Sequence, residues 1–144
     1  PAACKMYDWE IELGVVMGAR ISVGTPISRE LNEVAGYMLT LDMSARDFQR
    51  NPKHFAKSDL FMGKAFDASC PAGPYFVPAK FIKDPQDLDE LLQTLTENVT
   101  MEPGDLFLTG TPAGTGIESG VYADRGDKIE AEIAGLGRLK VEIY

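Results

Sequence analysis

Tyr7-Asp8-Trp9-Glu10-Ile11-Glu12-Leu13-Gly14-Val15-Val16-Met17-Gly18 reads as a β-strand. β-Branched and aromatic residues dominate it, a glycine closes it, and no proline interrupts it. Side chains alternate along a strand, so Glu10 and Glu12 project from one face, about 7 Å apart along the backbone. Leu13 to Met17 are almost continuously apolar, which suits a strand covered on both faces. Two carboxylates at the head of a buried strand are costly unless they are paired or bound to a metal ion. On this stretch alone the alternative is an exposed strand end.

Outward from this strand, Ile21 to Pro26 is a loop punctuated by Gly24 and Pro26. Ser28 to Val34 reads as a short helix capped by Ser28, with Leu31, Val34 and Ala35 on one side and Gly36 ending it. Tyr37-Met38-Leu39-Thr40-Leu41 is a second apolar strand. It runs directly into a helical turn over Asp42 to Gln49, for which Ser44 is the expected N-cap. Asp42 therefore stands at a junction where the strand fixes its position and the turn leaves it accessible.

Arg50 to Asp59 is polar and irregular and holds the only histidine, His54, which reads as a solvated loop residue. Lys64, embedded in Leu60-Phe61-Met62-Gly63-Lys64-Ala65-Phe66, must carry its ammonium to water or to a carboxylate. Cys70 to Pro78 is a proline- and glycine-punctuated turn feeding a short strand. Asp87 to Val99 is the clearest helix: Leu88, Leu91, Leu92 and Leu95 repeat at helical spacing, and Asp87 with Glu90 has capping-box spacing. Leu106 to Thr109 is a strand aimed at Gly110-Thr111-Pro112-Ala113-Gly114-Thr115-Gly116. That loop lacks the lysine of a phosphate-binding P-loop and the dinucleotide fingerprint. Its backbone suits a small carboxylate or phosphate, or simply a tight turn. Ile129–Ile133 and Leu139–Ile143 alternate as a half-exposed hairpin whose glutamates face solvent. The total is mainly β (α+β), strands dominating a few short helices.

With 144 residues the chain has the length of one domain. A formal net charge of −8 argues against nucleic-acid and anionic-membrane partners. No transmembrane span or signal peptide stands out. Cys4 and Cys70 show no ligand-like spacing, so a reduced, cytoplasmic protein is the expectation.

Glu10, Glu12 and Asp42 thus stand at the ends of two buried strands. Hard oxygen ligands without histidine or cysteine favour Mg²⁺ or Mn²⁺, with Ca²⁺ also admitted, over zinc. Three carboxylates leave positions for water or a chelating substrate. A 2-oxo acid fits, since the metal polarises its carbonyl and stabilises an enolate. A reading from another class is a non-catalytic, metal-stabilised binding module.

Several motifs together resemble one family. Glu-Ile-Glu-Leu-Gly-Val-Val-Met-Gly (10–18), Leu-Asp-Met-Ser-Ala-Arg-Asp-Phe-Gln (41–49), Gly-Lys-Ala-Phe-Asp (63–67) and Pro-Gly-Asp-Leu-Phe-Leu-Thr-Gly-Thr-Pro-Ala-Gly (103–114) are similar to the fumarylacetoacetate hydrolase family. The resemblance runs in order from Tyr7 to Tyr144. It implies a rolled, mixed β-sheet, a single catalytic domain over 1–144, a homodimer, and a divalent metal held at Glu10, Glu12 and Asp42. It also implies Lys64 as the active-site lysine, Arg46 and Gln49 lining the pocket, and Gly110 and Thr111 anchoring a substrate carboxylate. The implied activity is metal-dependent hydrolysis of a carbon–carbon bond in a small 2,4-dioxo acid. Oxaloacetate decarboxylation and isomerisation or hydration of oxo-dienoic acids are the alternatives within the family. Two departures stand out. The acid–histidine pair that family members carry upstream of the first glutamate pair has no counterpart here, and His54 lies on the wrong side of the motif. An internal segment expected between the Asp84-Pro85 region and the helix before Pro103 is also lacking.

Overall fold

The computed structural model describes residues 1–83 and 88–144. The quoted stretch is not one strand but two. β1 (Tyr7–Asp8) and β2 (Ile11–Met17) are separated by Trp9 and Glu10. The second apolar stretch breaks at the matching place, into β3 (Val34–Leu41) and β4 (Ser44–Ala45). The registers explain this. Ile11 pairs with Leu41 in one sheet and Asp8 with Ser44 in another. Both strands therefore change sheets opposite each other, at Trp9–Glu10 and Asp42–Met43. Asp42 N–H donates to Glu10 O, at 2.8 Å, across the step.

The larger sheet has the order β5–β3–β2–β6, where β5 is Ala72–Pro78 and β6 is Leu106–Leu108. The resemblance implied a mixed sheet; among the described residues every paired strand runs antiparallel to its neighbour. β2, covered on both sides as its apolar run implies, contributes Val15 and Met17 to the core beside Tyr37, Leu39 and Leu41 of β3. The helix α3 (Leu88–Thr96) closes that core with Leu88 and Leu92. Leu95 packs against it, but Leu91, expected inside, is 40% exposed. The expected cap at Asp87 lies outside the described residues. A hairpin of β7 (Lys128–Ile133) and β8 (Gly137–Glu142) completes the strands. Its glutamates face solvent as the alternation requires, Glu130 and Glu132 pairing with Lys140 and Arg138.

Two helical expectations fail. Ser28–Val34 forms turns rather than a helix: Leu31 takes φ +50°, a left-handed value that breaks helical continuation, and β3 already begins at Val34. Gly36 accordingly lies inside β3 instead of ending a helix. Ser44 is not an N-cap, because pairing with Asp8 draws it into β4; Ala45 precedes α1 (Arg46–Gln49) instead. A further short helix, α2 (Leu60–Lys64), is capped by Asp59, whose side chain accepts the Met62 N–H at 3.0 Å. It lies close on α1 because Gly63 has no side chain. A Cβ there would stand 2.6 Å from Gln49 Cβ. Among the described residues no helix is long and apolar enough to cross a membrane.

Candidate metal centre

The step between sheets sets the site. Glu10 occupies the break between β1 and β2, Asp42 the break between β3 and β4, and Glu12 the second position of β2. One carboxylate oxygen from each lies within 4.8 Å of the other two. The same-face placement expected for Glu10 and Glu12 thus brings them together with Asp42, and the cluster is not an exposed strand end: Glu12 is only 4% exposed.

Three parts of the chain hold the members: the segment beyond β6, α2 and α1. The register of β6 against β2 brings the chain beyond Thr109 alongside Glu12, and Gly110 N–H donates to Glu12 Oε2 at 2.7 Å. Gly110 meets a carboxylate, but it is the protein's own. Lys64, delivered by α2, donates from Nζ to Glu10 Oε2 at 2.8 Å and to Asp42 Oδ2 at 2.7 Å. Of the two fates open to this lysine, it takes the carboxylates. Arg46 donates from Nη2 to Glu10 Oε1, from Nε to Asp8 Oδ2 at 2.8 Å, and from Nη1 to Gln49 Oε1 at 3.2 Å. Thr111 follows Gly110, half-buried, at the edge of the cluster's loop.

The electrostatics are uneven. Burial pushes the Glu12 carboxyl above its ordinary value, and Asp42 and Glu10 push it further, against the Gly110 N–H and Lys64. Burial works against the Arg46 charge, yet its hydrogen bonds to Asp8 and Glu10 outweigh this and hold the guanidinium protonated. A partly buried group of three close carboxylates, one of them disfavoured as an anion, is a donor set that a hard divalent cation compensates. The residues present fit such an ion.

Sequence reasoning missed Asp8. Its carboxylate is wholly buried and accepts four N–H groups: Trp9 at 2.8 Å, Gly116 at 2.6 Å, Ile117 at 3.1 Å and Arg46 Nε. Gly116 begins the short helix α4 (Gly116–Ser119), and a Cβ on it would lie 2.7 Å from Asp8 Oδ1. The available signal was parity, since Asp8, Glu10 and Glu12 are three acids at alternate positions. Trp9, between them, donates from Nε1 to Gly114 O at 3.3 Å. His54 joins none of this; its Nδ1 accepts the Ala56 N–H and its ring packs on Phe55.

A strand-rich fold whose central antiparallel pair breaks to gather three carboxylates, two of them bridged by a lysine, defines an acidic, metal-type site. The family described as fumarylacetoacetate (FAA) hydrolase C-terminal matches residues 1–89 and 87–144, and the chain belongs to it. The two matched stretches meet at the place where the internal segment was expected. The chain is 34% identical over 164 residues to the mitochondrial oxaloacetate tautomerase FAHD2A of Bos taurus, covering 95% of this chain and 50% of that protein. It is likewise 34% identical to the oxaloacetate tautomerase YisK of Bacillus subtilis, covering 96% and 52%. The chain thus spans about half the length of the curated relatives it matches. Among solved structures, fumarylpyruvate hydrolase from Pseudomonas aeruginosa in complex with Mn²⁺ and pyruvate superposes with a TM-score of 0.85 at 30% identity. That match covers 99% of this chain and 68% of the other. The strand-dominated class expected for the family is the observed one.

Proposed function

We propose that this chain carries the divalent-metal site of an enzyme that interconverts the keto and enol forms of a small 2-oxo diacid of the oxaloacetate type. The carrying observation is the Lys64 ammonium placed between Glu10 and Asp42, so that a proton donor and an acidic cation site share one edge. The likeness to proteins named oxaloacetate tautomerases supports the substrate class.

Glu10, Glu12 and Asp42 would hold Mg²⁺ or Mn²⁺. When bound, the ion supplies Lewis-acid polarisation of the 2-oxo group. Lys64 delivers a proton from Nζ to the substrate carbon beside the carbonyl as the enol collapses, and recovers one from the enol hydroxyl, so the exchange balances without a water nucleophile. Gly110 fixes Glu12, Arg46 fixes Glu10 and Gln49, and the Thr111 hydroxyl is the group assigned to a substrate carboxylate. Exposed Leu60, Phe61, Tyr75 and Phe81 support pairing with a second copy, read by sedimentation.

Hydrolysis of a 2,4-dioxo acid is the second reading, favoured by the likeness to the Mn²⁺- and pyruvate-bound hydrolase. It needs a base to activate water. Among the described residues the hydrogen-bond partners of the cluster are Lys64, Arg46 and Gly110, none of them such a base.

The deciding experiment follows enol absorbance of oxaloacetate with Mg²⁺, with Mn²⁺ and with chelator, in the wild type and in Glu12→Gln. Metal-dependent enol loss that disappears in the variant supports the proposal. Pyruvate release from an acylpyruvate, without faster oxaloacetate tautomerisation, puts hydrolysis first. Neither activity in a folded, metal-binding protein leaves the binding-module reading.

A further inference from the structure

The buried carboxylate that no site role has absorbed is that of Asp8. It ends β1, away from the cation-facing oxygens, and yet it is the most fully hydrogen-bonded acid near the site. Its Oδ1 takes the N–H groups of Trp9 and Gly116, and its Oδ2 those of Ile117 and Arg46. Three separate parts of the chain therefore converge on one side chain: the break between β1 and β2, the start of α4 with the end of the glycine-rich loop, and α1. A carboxylate with no exposure is retained only when its donors are complete.

From this geometry we infer that Asp8 is a positioning residue for the metal centre, acting through Arg46 on Glu10. Resting on the metal-site reading above, the inference adds the means by which one ligand is aimed. The guanidinium is planar and spans two carboxylates at once, Nε to Asp8 and Nη2 to Glu10. Asp8 fixes the plane of that fork, and the fork turns Glu10 so that Oε2 faces Lys64 and the cluster while Oε1 is occupied. Without Asp8 the guanidinium keeps the neutral Gln49 Oε1 at 3.2 Å beside Glu10, and the plane that aims that carboxylate is no longer fixed. The Asp8 amide contacts to Gly116 and Ile117 tie the same device to the loop that carries Gly110, the residue holding Glu12. Two of the three carboxylates are thus aligned from one buried acid, directly through Arg46 and along the chain through the loop.

The test is Mn²⁺ binding followed by electron paramagnetic resonance in the full chain, with thermal unfolding recorded alongside. Asp8→Asn keeps the shape and removes the charge, and is expected to weaken Mn²⁺ binding by about 10- to 100-fold, as loss of a partner behind a ligand does. Arg46→Lys keeps the charge but cannot span both carboxylates; it should weaken binding comparably, and the double variant should be no worse than the poorer single one. Glu132→Gln, on the solvent-facing side of the β7–β8 hairpin, touches neither Arg46 nor the glycine-rich loop and should leave Mn²⁺ affinity within about twofold. If Asp8→Asn fails to fold, Arg46→Lys decides. Unchanged affinity in a folded Asp8→Asn or Arg46→Lys protein overturns the positioning role alone. A wild-type chain that binds no Mn²⁺ overturns the metal-site reading and this role with it.

Discussion

Glu12 Oε2 and Gly110 N lie 2.7 Å apart across 98 positions of sequence, the end of β6 and the head of β2 closing on a single hydrogen bond. Glu12 is also the cluster member whose ionisation is disfavoured, first by burial and then by Asp42 and Glu10. A carboxyl with a raised folded value contributes stability at low pH that is lost as pH rises through that value. At neutral pH with chelator, Glu12→Gln should therefore melt at or above the wild type. With Mn²⁺ the order should reverse, since an ion at 100 times its Kd stabilises the native state by about 2.7 kcal/mol. Paired melting curves with chelator and with Mn²⁺ check this, and curves that do not cross count against a cation at Glu12.

In the proposed tautomerase, Lys64 separates proton transfer from cation binding. Lys64→Met removes the ammonium that lies 2.7 Å from Asp42 and 2.8 Å from Glu10. Turnover should fall by about 100-fold or more, the usual scale for a lost proton carrier. Mn²⁺ affinity should hold or tighten, because an internal cation has been withdrawn from two acids. Steady-state rates and a Mn²⁺ titration on the same preparation test both halves.

Gly63 sets how close α2 comes to α1. An alanine Cβ there meets Gln49 Cβ at 2.6 Å and its Cα at 3.0 Å, so one of the helices must shift. Gly63→Ala should cost about 1–3 kcal/mol of stability and move Lys64 off the cluster. A larger fractional loss of activity than of Mn²⁺ binding is the expected pattern, measured by chemical denaturation and enol-absorbance kinetics.

Glu118 gives a pH signature in the glycine-rich loop. The N–H groups of Gly114 and then Thr115 hold its carboxyl below the ordinary 4.5. A depressed value means stability present above the unfolded value and lost as pH falls through the folded one. Acidification should therefore loosen residues 110–116. Trp9, the only tryptophan, donates to Gly114 O and reports the change in its emission. In Glu118→Gln the acid-side change in Trp9 emission should disappear.

Local pattern exposed much of this molecule. The apolar run of β2 and the alternation of β7 and β8 set burial directly, and the leucine spacing of α3 does so for Leu88, Leu92 and Leu95 but not for Leu91. Glu10, Glu12 and Asp42 were visible as acids at strand ends. Hidden from the sequence was whatever depended on a partner distant along the chain. Ser44 looks like a cap until Asp8 pairs with it, and Ser28–Val34 looks helical until β3 claims Val34. Asp8 stands in the sequence only as an acid in step with Glu10 and Glu12; the arrival of Gly116 and Arg46 makes it a buried anchor. Gly110 looked free to meet a ligand because nothing local shows that Glu12 lies against it.

The opposed breaks at Trp9–Glu10 and Asp42–Met43 make the acidic cluster a proofreader of strand alignment. A hairpin formed with β2 one residue out of step would carry Glu12 to the face away from Asp42 and exchange the side chains of the two covered faces at the same stroke. Misaligned chains would then lose their packed interior and their three-carboxylate cluster together, so that one alignment serves both.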